Sequence, residues 1–483
     1  IAMKAGCFFA SVAHRCIHWI LTNYHQTLRQ VFMFKRLQQI FMSLNRVLGQ
    51  VCEYDKWLKK QLIRKIQELE QGPANATATL TSTGLNAKST STNSAGDGST
   101  SSVTVKPVQK KRKFDFTKVQ TRFVAFRFAY MGWNYNGLNY QYDPTPLPTV
   151  EEVILQAMEK AKLVSECDPV ASDFSRCGRT DKGVSALNQV ISLNVRSSLT
   201  KEEQADKSND SREIPYLTIL NALLPLDIRI TAVSLRPPPN FNARFSCSYR
   251  HYKYLFSRKG LDLEKMQQAA TMYEGVHDFR NFCKIDGSKQ ITNFFREVYS
   301  ANIVHQDGDF YVFDLKGSAF LWHQVRCMVA ILFLVGQGLE SPSVVQELLN
   351  IEKYPSKPLF EMANDLPLVL YDCVFPEMEW LTSADDFDGT QKTKVVKEYT
   401  KFNGLLHEYQ LKSHIAAMVR DVYVKDEVKE NSNAFPDAGA INLGDGKGRN
   451  YKLYVPISQR DLGDDVATVN ARHKEKQKQK GKR

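Results

Sequence analysis

The chain has 483 residues, of which 43% are hydrophobic, so it is long enough for two or three domains and most of it is expected to fold. Its 64 Lys and Arg residues exceed its 52 Asp and Glu residues, and a net charge of +12 favours a polyanionic partner such as a nucleic acid. The nine cysteines form no CxxC pair and no apolar run reaches membrane-spanning length, which argues against a zinc framework, a thioredoxin-like pair and a membrane protein.

The first 116 residues are predicted to precede the catalytic fold. Residues 1–52 contain no Asp or Glu but six Lys and Arg residues, which is typical of a mitochondrial transit peptide; an extra N-terminal extension is the alternative. Apolar residues at helical spacing in 53–71 predict an amphipathic helix. The Ser-, Thr- and Ala-rich segment 72–116 predicts a disordered linker, and its basic run at 110–113 fits a nuclear localisation signal or a phosphate-contacting arm.

The region 117–375 carries the pattern of a folded domain. Alternating apolar residues at 121–130 and 250–257 predict two strands. Thr149, followed three residues later by a Glu, predicts the start of a helix, and the apolar run 321–336 predicts another. Strands and helices alternate at intervals that suit antiparallel pairing, so we expect an α+β fold and not a Rossmann fold.

The last part of the chain, residues 376–483, has a weaker apolar pattern. Charged stretches at about 390–425 predict a helical extension, followed by a loop rich in Gly, Asp and Asn. The final twelve residues, 472–483, read RHKEKQKQKGKR. This composition predicts a disordered basic tail that contacts RNA.

Common cofactor and nucleotide motifs are absent from the sequence. No P-loop occurs, and the partial dinucleotide motif at 336–341 follows a predicted helix instead of a strand. The tail contains a His-x-Glu triplet, but no Pro-Cys-x-x-Cys accompanies it, so a zinc deaminase is excluded. The sequence therefore argues against a metal site and a nucleotide cofactor.

One carboxylate stands in an unusual setting. Asp181 lies between Arg179 and Lys182, with Gly178 and Gly183 at the ends of the turn and a predicted strand behind it. An ordinary surface ion pair in a solvated turn is one interpretation. The other is a nucleophile, because neighbouring cations keep an Asp ionised and an ionised Asp attacks electrophilic carbon.

The stretch CGRTDKGVSALNQVISL around Asp181 closely resembles the signature of the TruA-type tRNA pseudouridine synthases, whose core is R-T-D-x-G-V-x-A. Further blocks resemble the same family and occur in the family's order. They are FNARFSCSYRHYKY at 241–254, GVHDFRNF at 275–282, GSAFLWHQVRCMV at 317–329 and LPLVLYDCVF at 366–375. The family's first strand commonly ends in Y-D-G, whereas Met131 here takes the place of the acid.

The resemblance implies a fold and a set of partners. The fold would be an α+β pair of ferredoxin-like halves, at about 117–240 and 241–375, whose joined antiparallel sheet borders a central cleft. Family members need no cofactor and are commonly dimers, so a homodimer is expected. The substrate would be the tRNA anticodon stem-loop, because the residues of these blocks resemble those of the eukaryotic branch that modifies uridines 38 and 39.

The resemblance also implies roles for individual residues. Asp181 would be the catalytic nucleophile, and Arg326 would pair with its carboxylate and keep it ionised, since a guanidinium stays charged and offers a planar fork. The implied substrate-binding residues are Tyr252, Arg179, Leu366 and Lys182. Tyr252 would pack on the target base, Arg179 would hold the nucleotide flipped out of the stem, and Leu366 would line the base pocket.

Two alternatives to this function remain open from the sequence. A synthase of the same family could act on other tRNA positions or on other RNAs. A catalytically silent homologue could keep the fold for RNA binding alone, although such a protein has no need for an acid in a cleft for an anionic substrate. The expected location is the nucleus and cytoplasm, with a mitochondrial pool if residues 1–52 are a genuine leader.

Overall fold

The computed structural model describes residues 114–382, 390–423 and 440–480. The predicted leader at 1–52, the amphipathic helix at 53–71 and the linker as far as residue 113 lie outside the described residues. Within the described ranges, no helix combines the length and the apolar character that a membrane crossing requires.

The first half of the fold contributes four strands and three helices. The strands are β1 (Gln120–Tyr130), β2 (Ser175–Arg176), β3 (Ser185–Ser197) and β4 (Ile228–Ser234). The helices are α1 (Val150–Lys160), α2 (Lys201–Ala205) and α3 (Tyr216–Leu223). The predicted strand at 121–130 is confirmed as β1, which pairs antiparallel with β3 and β4. Thr149 caps α1 by accepting a hydrogen bond from the backbone N–H of Glu152, as predicted.

The second half contributes a similar set of elements. Its strands are β5 (Tyr249–Ser257), β6 (Gly275–Asp278), β7 (Phe295–Asp307), β8 (Phe310–Gly317) and β9 (Leu368–Val374). Its helices are α4 (Leu263–Thr271), α5 (Gln324–Gly336) and α6 (Val344–Leu349). The predicted strand at 250–257 is confirmed as β5, which lies between β8 and β9 and pairs antiparallel with both.

All of these strands belong to one sheet of ten strands. Its order is β10-β4-β1-β3-β9-β5-β8-β7-β6, with β2 paired to β3 and β10 formed by Leu381–Thr382. The two halves meet where Ser185 and Ala186 of β3 pair in parallel with Val369 and Leu370 of β9. The other described pairings in this sheet are antiparallel, so the predicted α+β class with a joined antiparallel sheet is confirmed.

Helix α5 is the central helix of the second half. Every one of its residues except Arg326 is buried, as expected for a helix that is apolar on all sides. The sequence predicts a helix from residue 321, but the structure begins it at Gln324. The preceding residues form a turn, because His323 adopts a left-handed backbone with φ +62°.

The C-terminal extension contains two further helices, α7 (Thr390–Tyr423) and α8 (Val466–Lys480), and a small ribbon, β11 (Ala440–Ile441) with β12 (Arg449–Asn450). The prediction of a disordered tail is wrong for residues 472–480, which belong to α8. Tertiary contact explains the difference. The Gln290 side-chain amide donates to the backbone carbonyl of Asn470 (3.3 Å), and a Cβ on Gly287 would lie 2.9 Å from the carbonyl oxygen of Val469.

Candidate active site

The loop that carries Asp181 connects β2 to β3 at the junction of the two halves. Before Asp181, the buried Gln189 side chain donates to the backbone carbonyl of Gly178 (2.9 Å). Next to it, the Thr180 hydroxyl and the Tyr130 hydroxyl share a hydrogen bond of 2.6 Å, and the Thr180 carbonyl accepts from the backbone N–H of Leu138 (3.1 Å). Asp181 therefore projects from a loop that the body of the protein holds in place.

A glycine allows a second chain segment to pass close to this loop. Gly137 has φ +84°, which side chains rarely adopt, and a Cβ there would lie 2.9 Å from the Thr180 carbonyl oxygen and 3.2 Å from the Asp181 carbonyl carbon. The close approach allows the adjacent N–H of Leu138 to reach the loop. A larger residue at 137 would displace the loop, together with the orientation of Asp181.

The Asp181 side chain is partly exposed, at 31%, and two aromatic rings lie against its carboxylate. The indole N–H of Trp322 donates to Oδ1 at 3.1 Å. Nε2 of His323 lies 3.4 Å from Oδ2. Both rings belong to the turn that precedes α5, so the residues just before the central helix of the second half contact the acid of the first half.

The ion pair expected between Asp181 and Arg326 is not formed among the described residues. Arg326 instead donates through Nε to the backbone carbonyl of Ala363 at 2.7 Å. The reason lies in the turn at 321–323, because Trp322 and His323 of this turn occupy the positions beside the carboxylate. Arg326 lines the same cleft and stays close enough to His323 for its charge to lower the pKa of that imidazole.

Tyr252 lies on β5 in the same cleft, as the resemblance implied. Its ring meets Phe320 edge to face, with ring centroids 5.1 Å apart. Burial raises the pKa of the Tyr252 hydroxyl above its ordinary value, so the phenol stays protonated at neutral pH. A protonated aromatic side chain in this position suits contact with a nucleobase.

The cleft around Asp181 has a volume of about 720 Å³ and is strongly basic. Among the described residues that line it, nine are Lys or Arg and three are Asp. The basic residues are Arg176, Arg179, Lys182, Arg244, Arg250, Lys284, Lys289, Arg296 and Arg326. Arg179 and Lys182 are exposed on either side of Asp181. This charge distribution suits the binding of a phosphate backbone, and the Asp181 carboxylate lies in the same cleft.

Leu366 does not occupy the position that the resemblance implied. Its side chain is 56% exposed and does not line the cleft, whereas Leu368, the first residue of β9, does. Leu366 lies in the turn before β9, where its backbone N–H donates to the side-chain oxygen of Asn364 (2.9 Å). That turn directs residue 366 outward, and the strand then brings residue 368 to the cleft.

Arg250 is a structural residue of the site for which the sequence patterns indicated no role. Its guanidinium donates to the backbone carbonyls of Cys177 (3.0 Å), Arg244 (2.8 Å) and Ser318 (2.7 Å). Arg250 therefore links the loop of Asp181 to the segments before β5 and before α5. The only signal in the sequence is its place in the R-x-Y-x-Y block, where it stands two residues before Tyr252.

No metal site accompanies these residues in the part of the chain that the structure describes. There, no group of three or more His, Cys, Asp or Glu side chains is arranged to hold a metal ion. The chemistry available to the cleft is that of an exposed carboxylate, ring N–H donors, a protonated phenol and a basic lining.

Comparisons with known proteins identify the family of this chain. A family model described as tRNA pseudouridine synthase matches residues 269–376. The tRNA pseudouridine(38/39) synthase of Saccharomyces cerevisiae is 52% identical over 430 residues, covering 89% of this chain and 93% of the yeast protein.

More distant relatives carry related names. The human tRNA pseudouridine(38/39) synthase is 45% identical over 58% of this chain and 61% of its own length. The tRNA pseudouridine synthase A of Methanosarcina mazei is 31% identical over 48% of this chain and 77% of its own length. With the yeast protein matched over almost its whole length and the signature acid placed in a basic cleft, the chain belongs to the TruA-type tRNA pseudouridine synthase family.

Proposed function

We propose that this protein isomerises uridine to pseudouridine at positions 38 and 39 of the tRNA anticodon stem-loop, with Asp181 as the nucleophile. The observation that carries the proposal is the position of Asp181, which lines a cleft whose charged residues are nine Lys or Arg and three Asp. The relatives named for these two positions support the choice of substrate.

The geometry suggests how the reaction proceeds. Basic side chains at the rim neutralise phosphates, and Arg179 and Lys182 hold the target nucleotide after it leaves the stem. The Asp181 carboxylate attacks C1′ and the C1′–N1 bond breaks, the detached uracil rotates, and its C5 then attacks C1′ and displaces the Asp181 carboxylate. C5 then loses its proton to restore the base, and Tyr252 packs beside the ring during these steps. Arg326 adds positive charge to the lining of the cleft.

A tritium-release assay tests the proposed function. Isomerisation replaces the C5–H bond of uridine with a C5–C1′ bond, so an RNA labelled with tritium at C5 loses label to water. We expect the full chain to release tritium from an anticodon stem-loop transcript, and to release none when uridines 38 and 39 are both replaced by cytidine. Unchanged release from the replaced transcript would point to other positions, and no release from either RNA would contradict the synthase assignment.

We also propose that the enzyme is a homodimer located in the nucleus and cytoplasm. The resemblance to a family of dimers supports the first statement, and the basic run at 110–113 supports the second. Sedimentation at several concentrations would measure the oligomeric state. Imaging of tagged protein with and without residues 1–52 would show whether a mitochondrial pool exists.

Helix α8 is predicted to add to tRNA affinity without choosing the modified position. Its exposed Lys474, Lys476 and Lys478 extend from the docked end of the helix near residue 290. We expect the triple Lys→Gln variant to bind tRNA more weakly and to flatten the dependence of log Kd on log salt by about one unit for each phosphate that is no longer neutralised. Such phosphate interactions carry little sequence information, so the modified positions should not change.

Titrations at several salt concentrations measure this effect. Deletion of residues 472–483 should act in the same direction, whereas Glu475→Gln removes a negative charge from the same helix and should not weaken binding. A salt slope equal to that of the wild type in both the triple variant and the deletion would show that α8 is only solvated.

A further inference from the structure

The turn before α5 offers two ring N–H groups to the two oxygens of one carboxylate. Trp322 donates to Oδ1 of Asp181 at 3.1 Å, and Nε2 of His323 lies 3.4 Å from Oδ2. Resting on the proposed function, we propose that Trp322 and His323 are positioning residues, whose ring N–H groups hold the Asp181 carboxylate in one orientation before the nucleotide binds. They take the place that a direct ion pair with Arg326 was expected to fill.

The backbone explains how two adjacent side chains reach the same group. His323 has φ +62°, a left-handed conformation that is uncommon for residues other than glycine. The turn is closed by the backbone N–H of Gln324, which donates to the Leu321 carbonyl (3.1 Å), and by the Gln324 side chain, which accepts from the Leu321 N–H (2.8 Å). Strain of this kind persists only where the surrounding structure requires it, which is typical of functional sites.

The surroundings of His323 determine which of its nitrogens carries the proton. Nδ1 is buried and has no hydrogen-bond partner, so a proton there would be an unsatisfied buried donor. Nε2 is instead the ring nitrogen near Asp181, 3.4 Å from Oδ2, so a proton is favoured there. Burial lowers the pKa of His323; the charge of Asp181 opposes this shift, while Arg326, Lys284 and Lys357 add to it. The imidazole is therefore neutral at neutral pH and acts as an N–H donor.

Trp322 is held in place from two sides. Its ring lies 4.6 Å from the His323 ring, centroid to centroid, and Nζ of Lys284 lies 4.8 Å from its centroid. Its carbonyl also accepts from the backbone N–H of Lys284 at 3.0 Å. An indole N–H donates without accepting and does not titrate, so this donor is present at every pH.

The Trp322→Phe variant tests this role because it removes the N–H and keeps an aromatic ring beside Lys284. We expect the single-turnover rate at saturating enzyme to fall about 10- to 100-fold, the range expected for a hydrogen bond to a charged group. The Kd for the stem-loop should change by less than about threefold, since binding comes from many phosphate contacts.

The chain offers a matched control in Trp133. This residue is 40% exposed, against 39% for Trp322, and it packs on Tyr409 without lining the cleft. Trp133→Phe makes the same chemical change at a similar exposure, so its rate should equal that of the wild type. A thermal unfolding scan of each variant separates loss of structure from loss of rate.

His323 provides an independent test with a conservative pair. His323→Gln keeps an N–H at the end of a side chain of similar reach, whereas His323→Leu removes it. We expect the Gln variant to retain a clearly higher rate than the Leu variant at equal stem-loop affinity. Equal rates for the two variants would show that the ring serves only in packing.

The outcomes separate this inference from the proposed function. If wild-type protein releases no tritium from the stem-loop, the proposed function itself fails. If the wild type is active and Trp322→Phe matches its rate, or loses activity only through a larger Kd, the positioning role is overturned while the synthase assignment stands.

Discussion

Asp181→Asn is expected to abolish pseudouridine formation while tRNA binding survives. The amide has the shape of the carboxylate, and its oxygen still accepts from the Trp322 N–H, so the loop should keep its structure. The amide lacks the charge and nucleophilicity that the reaction requires, and loss of a nucleophile costs roughly 10⁴-fold or more in rate. Tritium release in a single turnover and an equilibrium titration with tRNA measure the two quantities separately.

Asp173→Asn is the matched control for this change. Asp173 also lines the cleft, and it has a left-handed backbone with φ 54°, which Asn adopts readily. We expect its rate to stay within about twofold of the wild type, because an exposed charge is screened by solvent and salt. Substantial product from Asp181→Asn, with mass spectrometry showing no deamidation to Asp, would refute the assignment of the nucleophile.

Arg122→Ala is expected to cause the largest loss of stability among the described ion pairs. Arg122 is 4% exposed on β1, and its guanidinium contacts Asp210 (2.8 Å), Glu213 (3.1 Å) and the Leu235 carbonyl (3.0 Å). Its removal leaves buried carboxylates without their cation, which costs about 3–5 kcal/mol. We expect a loss near the lower end of this range, because Arg236 also binds Asp210. The free energy of unfolding in urea measures the loss.

The loss of stability in Arg122→Ala should also depend on pH. Burial raises the pKa of Asp210 and of Glu213, but their hydrogen bonds outweigh burial, so both pKa values lie below the ordinary range. Groups with lowered pKa values stabilise the fold above that range, and this contribution is lost as the pH falls through the folded-state values. The difference between wild type and Arg122→Ala should therefore shrink as the pH falls below the ordinary carboxyl values of 4.5 for Glu213 and 3.8 for Asp210. A constant difference would contradict the ion-pair explanation.

A surface ion pair serves as the control for Arg122. Arg212 contacts Glu203 at 2.9 Å, but the two side chains are 59% and 32% exposed. Solvent screens such a pair, so Arg212→Ala should cost much less stability than Arg122→Ala. If the two Arg→Ala variants lose similar stability, burial does not govern the contribution of Arg122.

Local sequence patterns were enough to predict the class of fold and the reactive acid. Alternating apolar residues predicted β1 and β5, and the cap at Thr149 predicted α1, because these signals depend on local chemistry. The Asp181 motif identified the family for the same reason, since its spacing of glycines, cations and acid lies within a few residues. The resemblance also placed Tyr252 correctly in the cleft with Asp181.

The groups that contact this acid depend on the tertiary structure. The left-handed turn at His323 shifts the start of α5, so Trp322 and His323 reach Asp181 while Arg326 turns to the Ala363 carbonyl. The order of basic residues in α8 does not reveal that the helix docks near residue 290. The contacts of Trp322 with Asp181 and of Gln290 with α8 join residues more than a hundred positions apart in the chain. Local patterns carry no information about which distant groups will meet.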